Sequence, residues 1–207
     1  MVPYLDILVQ LVDTPPITEE GIPGPLMTTL QQADALLVVS DLASDDVLDQ
    51  LEACRDHLTE RRLLRESVPP GVQAFTEHRI LWVLNKVDAP DAQERLQLIA
   101  ELWDGPELHL ISAEHGQGLE ELKSECFRVL DVIRVYTKAP GKEPDMTAPF
   151  VLERGSTVLD LAEAIHKEVA ESLRGARVWG SARFDGKPVA QEHVLEDGDI
   201  VELKAAR

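Results

Sequence analysis

Apolar runs of four to six residues recur along the first half of the chain, each closed by polar or turn-forming residues. Ile7-Leu8-Val9-Gln10-Leu11-Val12 stops at Asp13-Thr14-Pro15-Pro16, and Ala35 to Val39 stops at Ser40-Asp41. Ile80 to Leu84 ends at Asn85-Lys86, and Leu108 to Ile111 ends at Ser112-Ala113. Runs with little polar alternation predict strands buried on both faces. Between them apolar positions recur at helical spacing over 24–33, over 44–65 with Leu48, Leu51, Leu58 and Leu63 on one stripe, over 91–102 and over 118–130. This alternation predicts an α/β fold: a parallel sheet with right-handed crossovers, whose ligands bind at the carboxyl ends of the strands.

From Val132 the pattern changes. Ile133-Arg134-Val135-Tyr136-Thr137-Lys138 alternates apolar with polar, as in a sheet with one wet face. A Pro/Gly-rich loop over 139–149, a strand at 150–152 and a helix over 157–173 follow, the helix carrying Val158, Leu161, Ile165, Val169 and Leu173 on one stripe. Short strands at 178–179, 182–184 and 200–203, with Asp185-Gly186 and Asp197-Gly198 as turn signals, complete a small α+β module. The expected boundary divides a first domain over 1–131 from a second over 132–207.

Composition sharpens that division. The chain has 207 residues and a formal charge of −18. Residues 1–130 hold 24 acids and 9 bases, whereas 131–207 hold 14 and 11, so nearly all the excess lies in the first part. Such acidity argues against whole-surface attraction to nucleic acid and against DNA sequence recognition. Cys54 and Cys126 lie in helix-like contexts as core thiols. No apolar run has the length of a membrane span and no signal peptide is evident, so no membrane partner and a cytoplasmic location are expected.

Asn85-Lys86-Val87-Asp88 is the most informative tetrad. An Asp after a buried strand can accept two hydrogen bonds from the N1–H and exocyclic amine of guanine, a pair of donors that adenine lacks. Asn can tie the loop together while meeting the purine, and the Lys stem can cover its face. The tetrad reads equally as a polar turn with a surface Lys/Asp pair. Ser112-Ala113 follows the next strand, where a small residue lets a backbone N–H approach the ring carbonyl. Asp13 ends the first run and suits either a water-mediated Mg²⁺ ion or a turn. The acids between Asp41 and Asp49 fit a helix N-terminus. His166 and His193 lack metal-ligand spacing, and Trp82 and Trp103 fit core positions.

Together these pieces resemble the P-loop GTPases of the Obg and developmentally regulated GTP-binding protein group. Asp13-Thr14-Pro15-Pro16 is similar to their third guanine-nucleotide motif, Asn85-Lys86-Val87-Asp88 to the fourth and Ser112-Ala113 to the fifth. The resemblance implies GTP/GDP and Mg²⁺ as ligands, with Asn85, Lys86, Asp88, Ser112 and Ala113 at the base and Asp13 at the metal. Two departures matter. Pro16 stands where the family usually has Gly and has no N–H for a γ-phosphate, and Ile17 follows instead of a water-orienting Gln. No residue is therefore assigned to catalysis, and any hydrolysis is expected to be slow. No G-x-x-x-x-G-K-[ST] occurs in the sequence, so the chain is expected to be the distal part of a longer GTPase, with an N-terminally incomplete sheet.

Residues 132–207 resemble a TGS domain, a β-grasp (ubiquitin-like) module. The resemblance rests on Ile133 to Lys138, Pro140-Gly141-Lys142, Ile165-His166-Lys167, Arg177-Val178-Trp179-Gly180 and His193 to Val201. It implies docking to a ribosome, an RNA or a protein partner, without catalysis. Arg134, Lys138, Lys142, Lys167, Arg174, Arg177 and Arg183 form either a partner patch or a solvated mixed face. The alternative function for the whole chain is a non-enzymatic binding module with no autonomous nucleotide binding.

Overall fold

The first apolar run departs from its expected place in a parallel sheet. In the computed structural model, which describes residues 1–18, 21–69, 71–181 and 185–205, Val2–Tyr4 (β1) and Ile7–Val9 (β2) pair only with each other, antiparallel. Leu5, at φ 51°, and Asp6 make the two-residue turn. Antiparallel neighbours separated by two residues close with little loop entropy, whereas a parallel pairing needs a long crossover. The run is accordingly not buried on both faces, and Leu8 is 61% exposed. The chain forms two compact units, Val12–Leu130 and a second that unites Met1–Leu11 with the chain from Asp131. The first eleven residues thus group with the C-terminal unit, not with the first.

The unit of residues 12–130 contains α1 (Gly24–Gln31), β3 (Leu36–Asp41), α2 (Val47–Glu60), β4 (Ile80–Asn85), α3 (Ala92–Leu102), β5 (Leu108–Ile111) and α4 (Leu119–Leu130). Its sheet has the order β3-β4-β5, all parallel. The central strand is sealed on both faces, with Ile80 to Leu84 all buried. Trp82 and Leu84 pack in one cluster with Leu26, Leu51, Leu58 and Ile99, while Leu81 and Val83 pack with Ile111 and Val129. Cys54 belongs to the first cluster and Cys126 packs against the second, both as free thiols. The helix expected over 44–65 is shorter at both ends. Ser44 Oγ accepts from the Asp46 amide (3.3 Å) in the entry turn, and Arg62 takes a left-handed φ of 59° at the exit. The register places Asp41 opposite Asn85 and Asn85 opposite Ile111, so the three strands finish level at their carboxyl ends.

The other unit carries β6 (Val132–Thr137), β7 (Phe150–Glu153), α5 (Val158–Ile165), α6 (Lys167–Ser172), β8 (Leu173–Trp179), β9 (Lys187–Val189) and β10 (Asp199–Ala205). The sheet order is β7-β6-β10-β8-β9, with β10 parallel to β6 and the other pairings antiparallel. Val158, Leu161 and Ala162 of α5 pack on Ile133, Val135, Ala176, Val178 and Val201, which gives a β-grasp core. The continuous helix expected over 157–173 is broken. A capping box between Thr157 and Asp160 starts α5, but His166 is extended (φ −173°) and its Nδ1 accepts from the Glu168 amide at 3.2 Å, restarting the chain as α6. Leu173 then opens β8. The edge strand β9, with Pro188, was not evident from the pattern, and the strand expected at 182–184 lies outside the described residues.

One charged cluster ties the hairpin to this sheet. Arg134 donates to Asp6 Oδ1 (2.8 Å) and, in a fork, to Asp197 Oδ1 (3.0 Å) and Oδ2 (2.7 Å), and the Tyr136 hydroxyl donates to Asp6. The Arg134 hydrogen bond holds the Asp197 carboxyl below its ordinary pKa. Burial works to raise Asp6, but hydrogen bonds from Tyr136 and Arg134 outweigh it and the net shift is downward. With folded values below the unfolded value of about 4, the cluster's contribution is present above that pH and is lost as pH falls through the lowered values. The urea midpoint of this unit is therefore expected to fall between about pH 5 and pH 2, and Arg134→Met to flatten that dependence. An unchanged acid slope in the variant contradicts the assignment.

Candidate functional site

The carboxyl ends of β3, β4 and β5 bring together Asp41, the Asn85 to Asp88 loop and the turn over 112–118. Asn85 is the tie between them. Its Oδ1 accepts from the Lys86 amide (2.8 Å) and from the Ala113 amide (3.0 Å), so one side chain fixes its own loop and joins it to the next. Lys86 takes a φ of 70°, a sparsely occupied conformation that the two hydrogen bonds hold in place. The Val87 amide donates to the Ile111 carbonyl at 3.1 Å, a second link between the loops. The Lys86 ammonium lies 2.5 Å from Asp41 Oδ2 and draws that carboxyl below its ordinary pKa.

The turn after β5 closes on itself. Ser112 is fully buried, its amide donates to the Gln117 carbonyl (3.0 Å), and its Oγ accepts from the His115 amide (3.1 Å). Gly118, at φ 73°, lies so close to β5 that a Cβ there would sit 2.4 Å from the Leu110 carbonyl oxygen, so only glycine fits. Asp88, whose side chain is 29% exposed, has its carboxyl held below the ordinary pKa by a hydrogen bond with Ser112, and His115 adds to the effect. It is an ionised acceptor open to solvent at the rim of both loops.

Asn85, Lys86, Asp88, Ser112 and Ala113 are thus brought together. The Ala113 amide, expected to face a ring carbonyl, donates to Asn85 Oδ1 in this structure. Asp13 is exposed in the irregular segment before α1, and among the described residues no group of three or more His, Cys, Asp or Glu side chains could hold a metal. The acids at and just after the end of β3 serve ion pairs, Asp41 with Lys86 and Asp45 with Arg95, each at 2.5 Å. Two neighbours of the site were not among the base-reading residues expected from the sequence, Asp41 and His115. Asp41 was legible as the residue that ends a strand beside Asn85, whereas nothing in the sequence marked His115.

The basic residues of the other unit do not form one open patch. Arg134 is held by Asp6 and Asp197, Lys138 lies 3.9 Å from Glu202 and 4.4 Å over the Trp179 ring, and Lys167 is 3.7 Å from Glu171. Lys142, Arg174 and Arg177 are exposed, and Arg183 lies outside the described residues. No helix among the described residues is long and apolar enough to cross a membrane.

Comparison with known proteins adds relatives to this geometry. The TGS domain family matches residues 133–205. A GTP-binding protein of Methanocaldococcus jannaschii is 38% identical over 130 residues, 61% of this chain and 33% of the relative. Developmentally-regulated GTP-binding protein 1 of Xenopus laevis is 30% identical over 79% of the chain and 39% of its own length. Ribosome-interacting GTPase 1 of Saccharomyces cerevisiae is 32% identical over 79% of the chain and 38% of its own length. These matches span between a third and two fifths of the relatives' lengths. The YchF GTPase of Schizosaccharomyces pombe shares the fold, with a TM-score of 0.55 at 12% identity over 89% of this chain and 75% of that one.

Proposed function

From a chain that carries a TGS domain and is homologous to GTP-binding proteins of the developmentally regulated, Obg-like class, we propose that residues 12–130 supply the guanine-reading side of a GTP-binding switch. In this reading the TGS domain docks the switch to a ribosome or RNA. The observation that carries it is the double hydrogen bond to Asn85 Oδ1, which fixes two loops around the ionised, solvent-open carboxylate of Asp88. Asp88 accepts the guanine N1–H and amine, and the Lys86 stem lies along the ring. The Ala113 amide is shared between Asn85 and the ring carbonyl. Docking through the other unit draws on exposed Lys142, Arg174 and Arg177, and its nearly balanced charge avoids the repulsion that the acidic unit would meet at a phosphate surface.

The second reading, a TGS-based binding module that takes up no nucleotide by itself, is favoured by one observation. The sequence holds no G-x-x-x-x-G-K-[ST] to cradle phosphates. Nuclear magnetic resonance titration with guanosine and adenosine separates the two. Guanosine is expected to shift the amides of 85–88 and 112–115 with an affinity on the order of 1 mM, as suits a base without phosphate contacts, and adenosine is not. If neither nucleoside moves them while the chain co-sediments with ribosomes, the second reading holds.

A further inference from the structure

The geometry assigns His115 as a positioning residue for Asp88, setting the carboxylate that reads the base. The assignment rests on the guanine-reading role of Asp88. His115 Nδ1 lies 3.3 Å from Asp88 Oδ2 and 3.2 Å from Ser112 Oγ, while its own amide donates to that same oxygen at 3.1 Å. A carboxylate only accepts, so of the two neutral imidazole tautomers the one with its hydrogen on Nδ1 is favoured beside Asp88. The buried Ser112 fixes the backbone of the turn that presents the imidazole.

This leaves Asp88 with acceptors for the base. An ionised carboxylate has about four lone-pair sites, of which Ser112 and His115 take one each. The sites left match the two guanine donors in number. The imidazole, together with Ser112, holds the carboxylate in one orientation before the base arrives. An acid that already occupies its bound rotamer gives up less side-chain entropy on binding.

The experiment compares the full chain with His115→Ala and His115→Asn, whose amide Nδ2 can take the place of Nδ1. His115→Ala is expected to weaken guanosine by about three- to tenfold, the effect of one net hydrogen bond, and His115→Asn to restore most of the loss. The Asp88 carboxyl, followed by its carbon resonance, should titrate at higher pH in the Ala variant and return toward the parent value in the Asn variant. The urea midpoint should stay within error, since the imidazole is 63% exposed. Guanosine affinity unchanged in His115→Ala, or Asn behaving as Ala does, overturns the role of His115 alone. Failure of the unsubstituted chain to bind guanosine overturns both this role and the reading beneath it.

Discussion

Asp88→Asn is expected to abolish guanosine binding and to create binding of xanthosine at a comparable affinity. A carboxylate offers acceptors to both guanine donors, whereas a carboxamide sets its NH₂ against one of them. The clash replaces a charge-assisted hydrogen bond, so the loss is expected to be roughly a hundredfold, beyond detection for a site that binds the base alone at about 1 mM. In xanthine the amine is replaced by a carbonyl, which accepts from the new NH₂. Asp88 is an exposed loop residue, so the substitution should leave the fold intact. Asp91→Asn, which removes the same charge three positions away, is the control and should keep guanosine preference. The measurement is a nucleoside titration of each variant, and an Asp88→Asn chain that still prefers guanosine contradicts the assignment.

The largest expected effect on stability belongs to Trp82. Its side chain is fully buried on the central strand, in contact with Trp103 at a centroid distance of 5.7 Å and a tilt of 55°. Truncation to Ala removes that surface and leaves a cavity between β4 and the helices, a loss of about 3–5 kcal/mol. A domain has only about 5–15 kcal/mol in total, so Trp82→Ala is expected to leave the unit of residues 12–130 without a cooperative urea transition at room temperature. Trp82→Phe should be much milder. The indole Nε1 is buried with no hydrogen-bond partner among the described residues, and an orphaned donor costs about 1–3 kcal/mol. Phe loses some contact area but removes that donor. A Phe variant as unstable as Ala would show that the indole N–H is satisfied or that the ring's volume alone governs the site.

Much of this was legible in one dimension. The runs ending at Asp41, Asn85 and Ile111 became the parallel strands, but only the central one is covered on both faces; Val39 of β3 and Leu110 of β5 are 52% and 42% exposed. The tetrad at 85–88 was visible because strand ends in such sheets are where polar residues face a ligand. The hairpin over 2–9 was not, since an apolar run carries no label for parallel or antiparallel pairing. The stripe through 158–173 was read as one helix because apolar spacing does not register a single extended residue, and His166 is one.

The sequence by itself determined the types of elements, the division of charge between the two parts and the residue types able to read guanine. Those depend on side-chain polarity and near-neighbour spacing, which the chain carries wherever it goes. Only the tertiary structure decided which of these residues meet. Asn85 reaches the Ala113 amide because β4 and β5 lie in register and end level, and their separation of 28 residues reveals nothing of that. His115 meets Asp88 for the same reason, through a turn that Gly118 allows to close against β5. Asp6 meets Arg134 across 128 residues, from the turn of a hairpin whose strands pair only with each other, and nothing in the local pattern of either segment marks that meeting.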